Sequence, residues 1–208
     1  MSGQSAVMRV FSGTVSVLAM LLVAACGSSP PTSYYTLDPV YAGPTGVSLD
    51  EARIGVGPFI FPALLDRPQI VVRGHRNEVI LSEYARWADD LEQRFQAVVA
   101  RDLVVATGTS HVYEYPWRDN FSVDYRILGA VDGFAPHTNG EVSLKIRWIL
   151  QDGDGDKTLM THHGHYTEKA DPDNYGEIAA AMGRAIASAS ADMAQKLEEA
   201  AARPPTSD

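Results

Sequence analysis

The clearest pattern in the chain is the alternation of apolar and polar residues over residues 141–150, EVSLKIRWIL. The apolar members that alternate are Val142, Leu144, Ile146, Trp148 and Leu150. Up to Arg147, the positions between them carry charged or hydroxyl side chains. Because successive side chains of a strand point to opposite faces, this pattern predicts a β-strand with one buried face and one face open to water or a partner.

Shorter apolar runs bounded by Gly, Pro, Asn and Asp predict further strands on both sides of this one. We expect strands within residues 34–37, 53–61, 111–117, 121–134 and 157–169. Residues 68–82 predict a β-hairpin, because a turn at 74–77 separates two apolar runs. The turns HTNG and DGDGD on the two sides of residues 141–150 indicate an antiparallel meander.

Two stretches have a helical period instead. In the first, large apolar side chains recur every fourth residue, at Trp87, Leu91, Phe95, Val99 and Leu103. This stripe predicts a core-facing helix, with Ser82 as the cap at its start and Gly108 at its end. Residues 172–201 predict a second long helix, in which Pro172 suits the first turn.

The order of these elements is strands, helix, strands, helix. It predicts an α+β fold, in which a mixed or antiparallel sheet is covered by two long helices. The same order leaves open a degenerate internal β-α repeat. The 208 residues, 45% of them apolar, are enough for one domain with a substantial core.

The first 25 residues differ from the rest, because Arg9 is their only charged residue and an apolar run follows it. A short basic region, an apolar stretch and small residues at the end predict a secretory signal peptide. The stretch is too short and too poorly flanked for a transmembrane helix. Translation could begin at Met1 or at Met8.

The only cysteine, Cys26, follows directly after Val23-Ala24-Ala25. This resembles the bacterial lipobox, which implies a diacylglyceryl group on the sulfur, cleavage before Cys26 and acylation of the new amine. Several acyl chains would anchor the protein stably in a membrane. The alternative is a plain secreted protein with a chance cysteine, and an internal disulfide is excluded by the count.

The resemblance also divides the chain. We expect a signal peptide at 1–25, the lipidated cysteine with a flexible Ser/Pro tether at 26–33, a single domain at 34–203 and a disordered tail at 204–208. Gly27 stands where aspartate would favour retention at the inner membrane. The lipoprotein resemblance therefore implies the outer membrane, with the protein facing the periplasm.

The net charge of −9 and the absence of any Lys/Arg cluster argue against nucleic-acid binding and against electrostatic docking to anionic lipids. No nucleophile motif, phosphate-binding loop or second cysteine is present. Glu78, Glu83 and Asp89 form no recognisable acid pair. The sequence therefore predicts a protein that is not an enzyme and needs no cofactor.

The motif THHGH is the strongest candidate for a metal site, since His163 and His165 would share one face of a strand. His162 would point to the other face, and a third ligand would have to come from His111 or His137. The alternative, which we favour, is a polar strand face near a sheet edge with no metal.

Several segments together resemble the ABC-type transport auxiliary lipoproteins, the PqiC-like family. The lipobox is followed by Tyr34-Tyr35-Thr36-Leu37, then by residues 65–71, LDRPQIV, and by Arg86-Trp87. The similarity covers nearly the whole mature chain. One departure is Asp90, where relatives often carry proline, and it leaves the start of the first helix open.

The resemblance implies a non-catalytic lipoprotein that accompanies an MCE-domain protein, a permease and an ATPase in lipid trafficking between membranes. The partner would be the MCE-domain protein, and self-association into a homo-oligomer is left open. Arg67 and Arg73 are the polar candidates for partner contact. Alternatively, both arginines pair with acidic neighbours inside the fold.

Two other functions are considered. One is an outer-membrane assembly lipoprotein of the kind that plugs the lipopolysaccharide translocon, but the acidic composition counts against it. The other is a periplasmic metal-binding lipoprotein that uses the histidines of THHGH.

Overall fold

The computed structural model describes residues 30–40, 49, 51–117 and 122–202. The chain divides into two compact units, residues 1–31 and residues 32–208, and the second contains every described element. The predicted signal peptide, Cys26 and the tail at 204–208 lie outside the described residues. No helix in the described ranges is long and apolar enough to cross a membrane.

The second unit contains eight strands and two helices in its described part. The strands are β1 (Ser33–Tyr35), β2 (Ile54–Ile60), β3 (Gln69–Arg73), β4 (Val79–Trp87), β5 (Val112–Glu114), β6 (Tyr125–Pro136), β7 (Glu141–Asp152) and β8 (Thr158–Lys169). The helices are α1 (Leu91–Thr107) and α2 (Tyr175–Ala201). The predicted α+β class is confirmed.

The strands form two sheets rather than the single sheet expected from the sequence. One has the order β5-β2-β6-β7-β8 and the other has the order β1-β4-β3. The predicted meander is confirmed, since β6, β7 and β8 pair antiparallel, while β2 pairs parallel with both β5 and β6. The predicted hairpin is β3 with β4, and its second strand continues to Trp87.

Strand β7 confirms the alternation that identified it. Its apolar side chains from Val142 to Leu150 at even positions are at most 1% exposed, whereas Lys145 and Arg147 are exposed. Both helices pack on the buried face. At its centre the ring of Phe95 from α1 meets the rings of Phe59, Phe61 and Phe134 edge to face at 5.3–5.7 Å.

The predicted start of α1 at Ser82 is wrong. Trp87 ends β4, where its amide donates to the carbonyl of Pro68 at 2.7 Å, and the helix begins at Leu91. The cap is Asp90, whose carboxylate accepts from the amide of Gln93 at 2.9 Å. Trp87 fits the helical spacing only because it is an inward-facing residue of the preceding strand.

The other helix ends agree better with the sequence. Gly108 ends α1 as predicted, with φ of 77° and its amide bonded to the carbonyl of Val104 at 3.1 Å. Helix α2 starts three residues after Pro172, at Tyr175, so Pro172 lies in the preceding turn and not in the helix. Asn174 is the cap, and its side chain accepts from the amides of Gly176 and Glu177.

Candidate functional site

An open cleft of about 570 Å³ lies at the start of α1. Its lining comes from two segments that are distant in sequence. The lining residues are Phe61, Leu65, Asp66, Arg67, Pro68, Trp87, Ala88, Asp89, Asp90, Leu91, Glu92 and Gln93. Residues 65–68 and Trp87 belong to two of the three segments in which the sequence resemblance is most specific, so the fold brings parts of these two motifs to one place.

Backbone hydrogen bonds hold the two segments together. The amide of Leu65 donates to the carbonyl of Pro62 at 2.8 Å, which turns the chain after β2. The amide of Trp87 then donates to the carbonyl of Pro68 at 2.7 Å and ties β4 to the turn. The cleft is therefore part of the folded framework rather than a gap between loops.

The most buried side chains of the cleft lining, which we call its floor, are apolar. Leu65 and Trp87 are 5% exposed and Leu91 is 7% exposed, so each contributes to the core while one part faces the cleft. Phe61 is half-buried beside them and packs against Phe95. An apolar floor of this kind suits an apolar side chain of a partner.

The rim is strongly acidic. Asp66, Asp89, Asp90 and Glu92 line it, against a single cation, Arg67. The hydroxyl of Thr36 donates to Asp89 at 2.9 Å, the amide of Gln93 donates to Asp90, and the amide of Phe61 donates to Glu92 at 3.4 Å. Among the hydrogen bonds and ion pairs of the described residues, none involves the exposed carboxylate of Asp66.

Arg67 is half-buried in the cleft wall, and its Nε is buried without a hydrogen-bond partner among the described residues. None of the ion pairs in the described ranges includes it. Arg73 lies elsewhere, at the end of β3, where its carbonyl accepts from the amide of Thr138 at 3.0 Å. The fold therefore separates the two arginines and places only Arg67 in the cleft.

The histidines of THHGH lie on β8, away from the cleft. His163 and His165 are on the exposed face, and the side chains of His165 and Ser143 are in hydrogen-bond contact at 3.0 Å. His162 faces the other way, with its ring 5.1 Å from that of Trp148. Among the described residues, no group of three or more His, Cys, Asp or Glu side chains is placed to hold a metal ion.

One unusual group was missed by the sequence reasoning. Asp102 is fully buried on α1, and Ser190 of α2 donates to its Oδ2 at a long 3.5 Å. Its Oδ1 has no partner in the described part of the chain. Burial raises the pKa of Asp102 to about 7, although the Ser190 hydroxyl opposes the shift. Its position could have indicated this burial, since Asp102 follows Val99 of the apolar stripe by three residues and so lies on the same side of α1.

Comparison with known protein families shows the family to which the chain belongs. Residues 35–194 match the family described as ABC-type transport auxiliary lipoprotein component, which is more than half of the chain. This protein belongs to that family. Members of this family are lipoproteins of the bacterial envelope that are associated with transport. Every residue that lines the cleft lies inside the matched range, and Cys26 lies before it.

Solved structures support the fold of this family member. The chain is similar to protein XCC0632 from Xanthomonas campestris, of the DUF330 family, with a TM-score of 0.70 and 14% identity. That likeness covers 82% of this chain and 97% of the other. A second crystal structure, of an uncharacterized protein, has a TM-score of 0.64 and 17% identity over 81% of this chain and 99% of its own. No curated protein matches the sequence.

Proposed function

We propose that this protein is a lipid-anchored docking subunit of an MCE-type ABC transport system, held at the outer membrane and facing the periplasm. The observation that carries the proposal is the open cleft formed by residues 65–68 and 87–93. A buried apolar floor with a charged rim is the usual anatomy of a protein contact site. In this proposal the cleft receives a segment of the MCE-domain protein.

The acidic side chains of the cleft support docking rather than catalysis. Asp90 caps a helix, Asp89 accepts from Thr36 and Glu92 accepts from the amide of Phe61, so three of the rim carboxylates hold the local structure. A general acid or base needs a carboxylate that is free of such structural bonds, and among the described residues only Asp66 of the four on the rim is. The rim is better suited to recognising a partner with basic groups.

Partner contact can be tested with a photo-crosslinking amino acid at Asp66, which is exposed at the rim. A matched control places the same residue at Thr161, which is exposed on β8 away from the cleft lining. In cells that also contain the MCE-domain protein, we expect a crosslink to it from position 66 and none from position 161. Crosslinks only between two copies of this chain, or equal crosslinking at both positions, would contradict the assignment of the cleft.

The anchor is the second part of the proposal. Processing before Cys26 would leave residues 26–33 as the lipidated cysteine and tether, residues 34–203 as the folded domain and residues 204–208 as a disordered tail. Gly27, in place of aspartate, supports the outer membrane as the destination.

Labelling with a palmitate analogue tests the anchor separately from the cleft. The Cys26→Ser variant should take up no label and should be missing from the outer-membrane fraction. Uptake of label by the variant, together with retention in the membrane, would overturn lipidation at Cys26. Because both experiments use the same cells, the number of copies in the crosslinked species also reports on self-association into a homo-oligomer.

A further inference from the structure

The outer part of the β3–β4 hairpin, residues 73–84, exposes an unusual amount of apolar surface; we call it the hairpin arm. Val79, Ile80 and Leu81 are consecutive in β4 and are 37%, 39% and 43% exposed, and Tyr84 is 36% exposed. Successive residues of a strand point to opposite faces. Both faces of the arm therefore present apolar side chains to the surroundings.

The edge of the arm is open as well. Strand β1 pairs with β4 only at Ala85, Arg86 and Trp87, so in the described residues no strand pairs with β4 over 79–84 on that side. The residues just before β1 include Pro30 and Pro31, which have no amide hydrogen to extend the ladder. The preceding chain is therefore a poor candidate to cover the arm by strand pairing.

The direction of β1 indicates what covers the arm instead. Since β1 runs parallel to β4 and Ser33 lies opposite Ala85, the chain enters β1 from the side on which the arm projects. Cys26 is seven residue steps before Ser33, which allows a reach of roughly 23 Å at about 3.3 Å per residue. Val79 is six steps before Ala85, or roughly 20 Å along the strand. An acyl anchor on Cys26 can thus lie in the same surface as the end of the arm.

We propose that the hairpin arm is a second membrane contact, inserted in the lipid interface beside the acyl anchor. This inference rests on the proposed lipidation of Cys26. Tyr84, together with Tyr34, which is 64% exposed on β1, supplies rings with an apolar body and a polar tip, which favour the membrane–water interface. With an anchor and an arm, the domain has two points of attachment, which orients the cleft relative to the membrane.

The charges of the arm indicate how it binds. The positive charges of Arg73 and Arg76 are balanced by the negative charges of Glu78 and Glu83. His75 lies between the two arginines in sequence. There is no excess of basic residues to attract anionic lipids. The contact therefore depends on buried apolar area, and its strength should change little with salt or with the content of anionic lipid.

The test uses the lipidated full-length product in nanodiscs of phosphatidylethanolamine, with or without phosphatidylglycerol. Cys26 is the only cysteine and its sulfur would be consumed by the lipid, so one new cysteine can carry an environment-sensitive fluorophore. The test positions are Ile80→Cys and, on the opposite face, Leu81→Cys. The matched control is Thr161→Cys, exposed on β8.

At positions 80 and 81 we expect blue-shifted emission that is mostly lost when the nanodisc lipids carry a doxyl quencher, equally with and without phosphatidylglycerol. The control at position 161 should keep its emission. Unquenched probes at both arm positions on a lipidated chain would overturn the membrane contact. The proposal would also be overturned if the probes became shielded from an aqueous quencher only after the MCE-domain protein was added, since the arm would then contact protein.

The intact mass of the unlabelled chain separates this failure from failure of the anchor. A chain without acyl groups overturns the proposed lipidation itself. A lipidated chain with unquenched probes overturns only the role of the arm.

Discussion

Strand β7 of the five-stranded sheet buries every apolar side chain at its even positions from Val142 to Leu150, whereas β4 of the three-stranded sheet leaves Val79, Ile80 and Leu81 more than a third exposed. Both strands are rich in apolar residues. The difference is that both helices pack on one face of the larger sheet, while the hairpin arm stays exposed on both faces from Val79 to Leu81. The larger sheet with its helices holds most of the described core, whereas the smaller sheet carries the hairpin arm and supplies Trp87 to the cleft at the start of α1.

The largest effect on stability is expected from the ionisation of Asp102, which is buried on α1. Burial raises the pKa of Asp102 from 3.8 to about 7, so the folded state binds this proton more tightly than the unfolded state. The stabilisation from this tighter binding is fully present below about pH 4 and is lost as the pH rises towards 7. The free energy of unfolding should fall over this range by on the order of 4 kcal/mol. Urea unfolding between pH 4 and pH 8 should show this loss, and Asp102→Asn should abolish most of it.

The control for that measurement is Asp66→Asn, because Asp66 is exposed at the cleft rim. This variant should keep the pH dependence of the wild type. A wild-type free energy of unfolding that rises between pH 5 and pH 7, relative to Asp102→Asn, would show that Asp102 is not a buried acid.

A matched pair of isoleucines compares the two sheets directly. Ile146 is 1% exposed on β7 and Ile80 is 39% exposed on the arm. Ile146→Ala should reduce the free energy of unfolding by about 3 kcal/mol, because it leaves a cavity in a packed core. Ile80→Ala should cost less than about 1 kcal/mol. Equal costs in urea titrations would mean that the arm is part of the core and not a free surface.

Within the cleft, two aspartates separate a structural role from a contact role. Asp90→Ala removes the cap of α1 and should lower the free energy of unfolding by about 1 kcal/mol. Asp66→Ala should leave stability unchanged and weaken copurification with the MCE-domain protein, since its carboxylate has no role in the hydrogen bonds of the described residues. If thermal unfolding shows that Asp66→Ala is the destabilised variant, and Asp90→Ala is the one that loses copurification, the two roles are assigned the wrong way round.

The smallest effect is expected on the exposed face of β8. The double variant His163→Ala, His165→Ala should change the free energy of unfolding by less than about 0.5 kcal/mol, since both side chains are exposed. It should also leave the zinc content of the purified protein unchanged. Stoichiometric zinc that disappears in the double variant would establish a metal site on the face that we assign to solvent.

The features that the sequence predicts correctly are those that depend on near neighbours along the chain. The alternation in β7, the apolar period of the helices and Gly108 as a helix end are local patterns, and the structure confirms them. The start of α1 was misplaced because Trp87 satisfies a helical period and a strand period at once. Its place in β4 follows from distant segments, because its amide donates to the carbonyl of Pro68, nineteen positions earlier, and it pairs with Tyr35 of β1.

The candidate site was only partly predictable. Residues 65–71 and Arg86-Trp87 resemble family motifs, but nothing in their spacing indicates that parts of both, residues 65–68 and Trp87, line one cleft. Arg67 and Arg73 are the polar candidates for partner contact in the sequence, but most of strand β3 lies between them and only Arg67 lines the cleft. The sequence does not indicate that Asp66, Asp89 and Asp90 share one acidic rim, since their combined charge exists only where the two segments meet.

The sequence alone therefore determined the features that depend on neighbours along the chain: the lipobox pattern at Cys26, the secondary structure of most elements and the α+β class. The tertiary structure decided the division into two sheets, the acidic cleft, the burial of Asp102 and the exposure of the hairpin arm. The physical reason is that burial and strand partners depend on contacts between distant segments. An apolar residue such as Ile80 or Ile146 carries the same local signal whether or not a helix covers it.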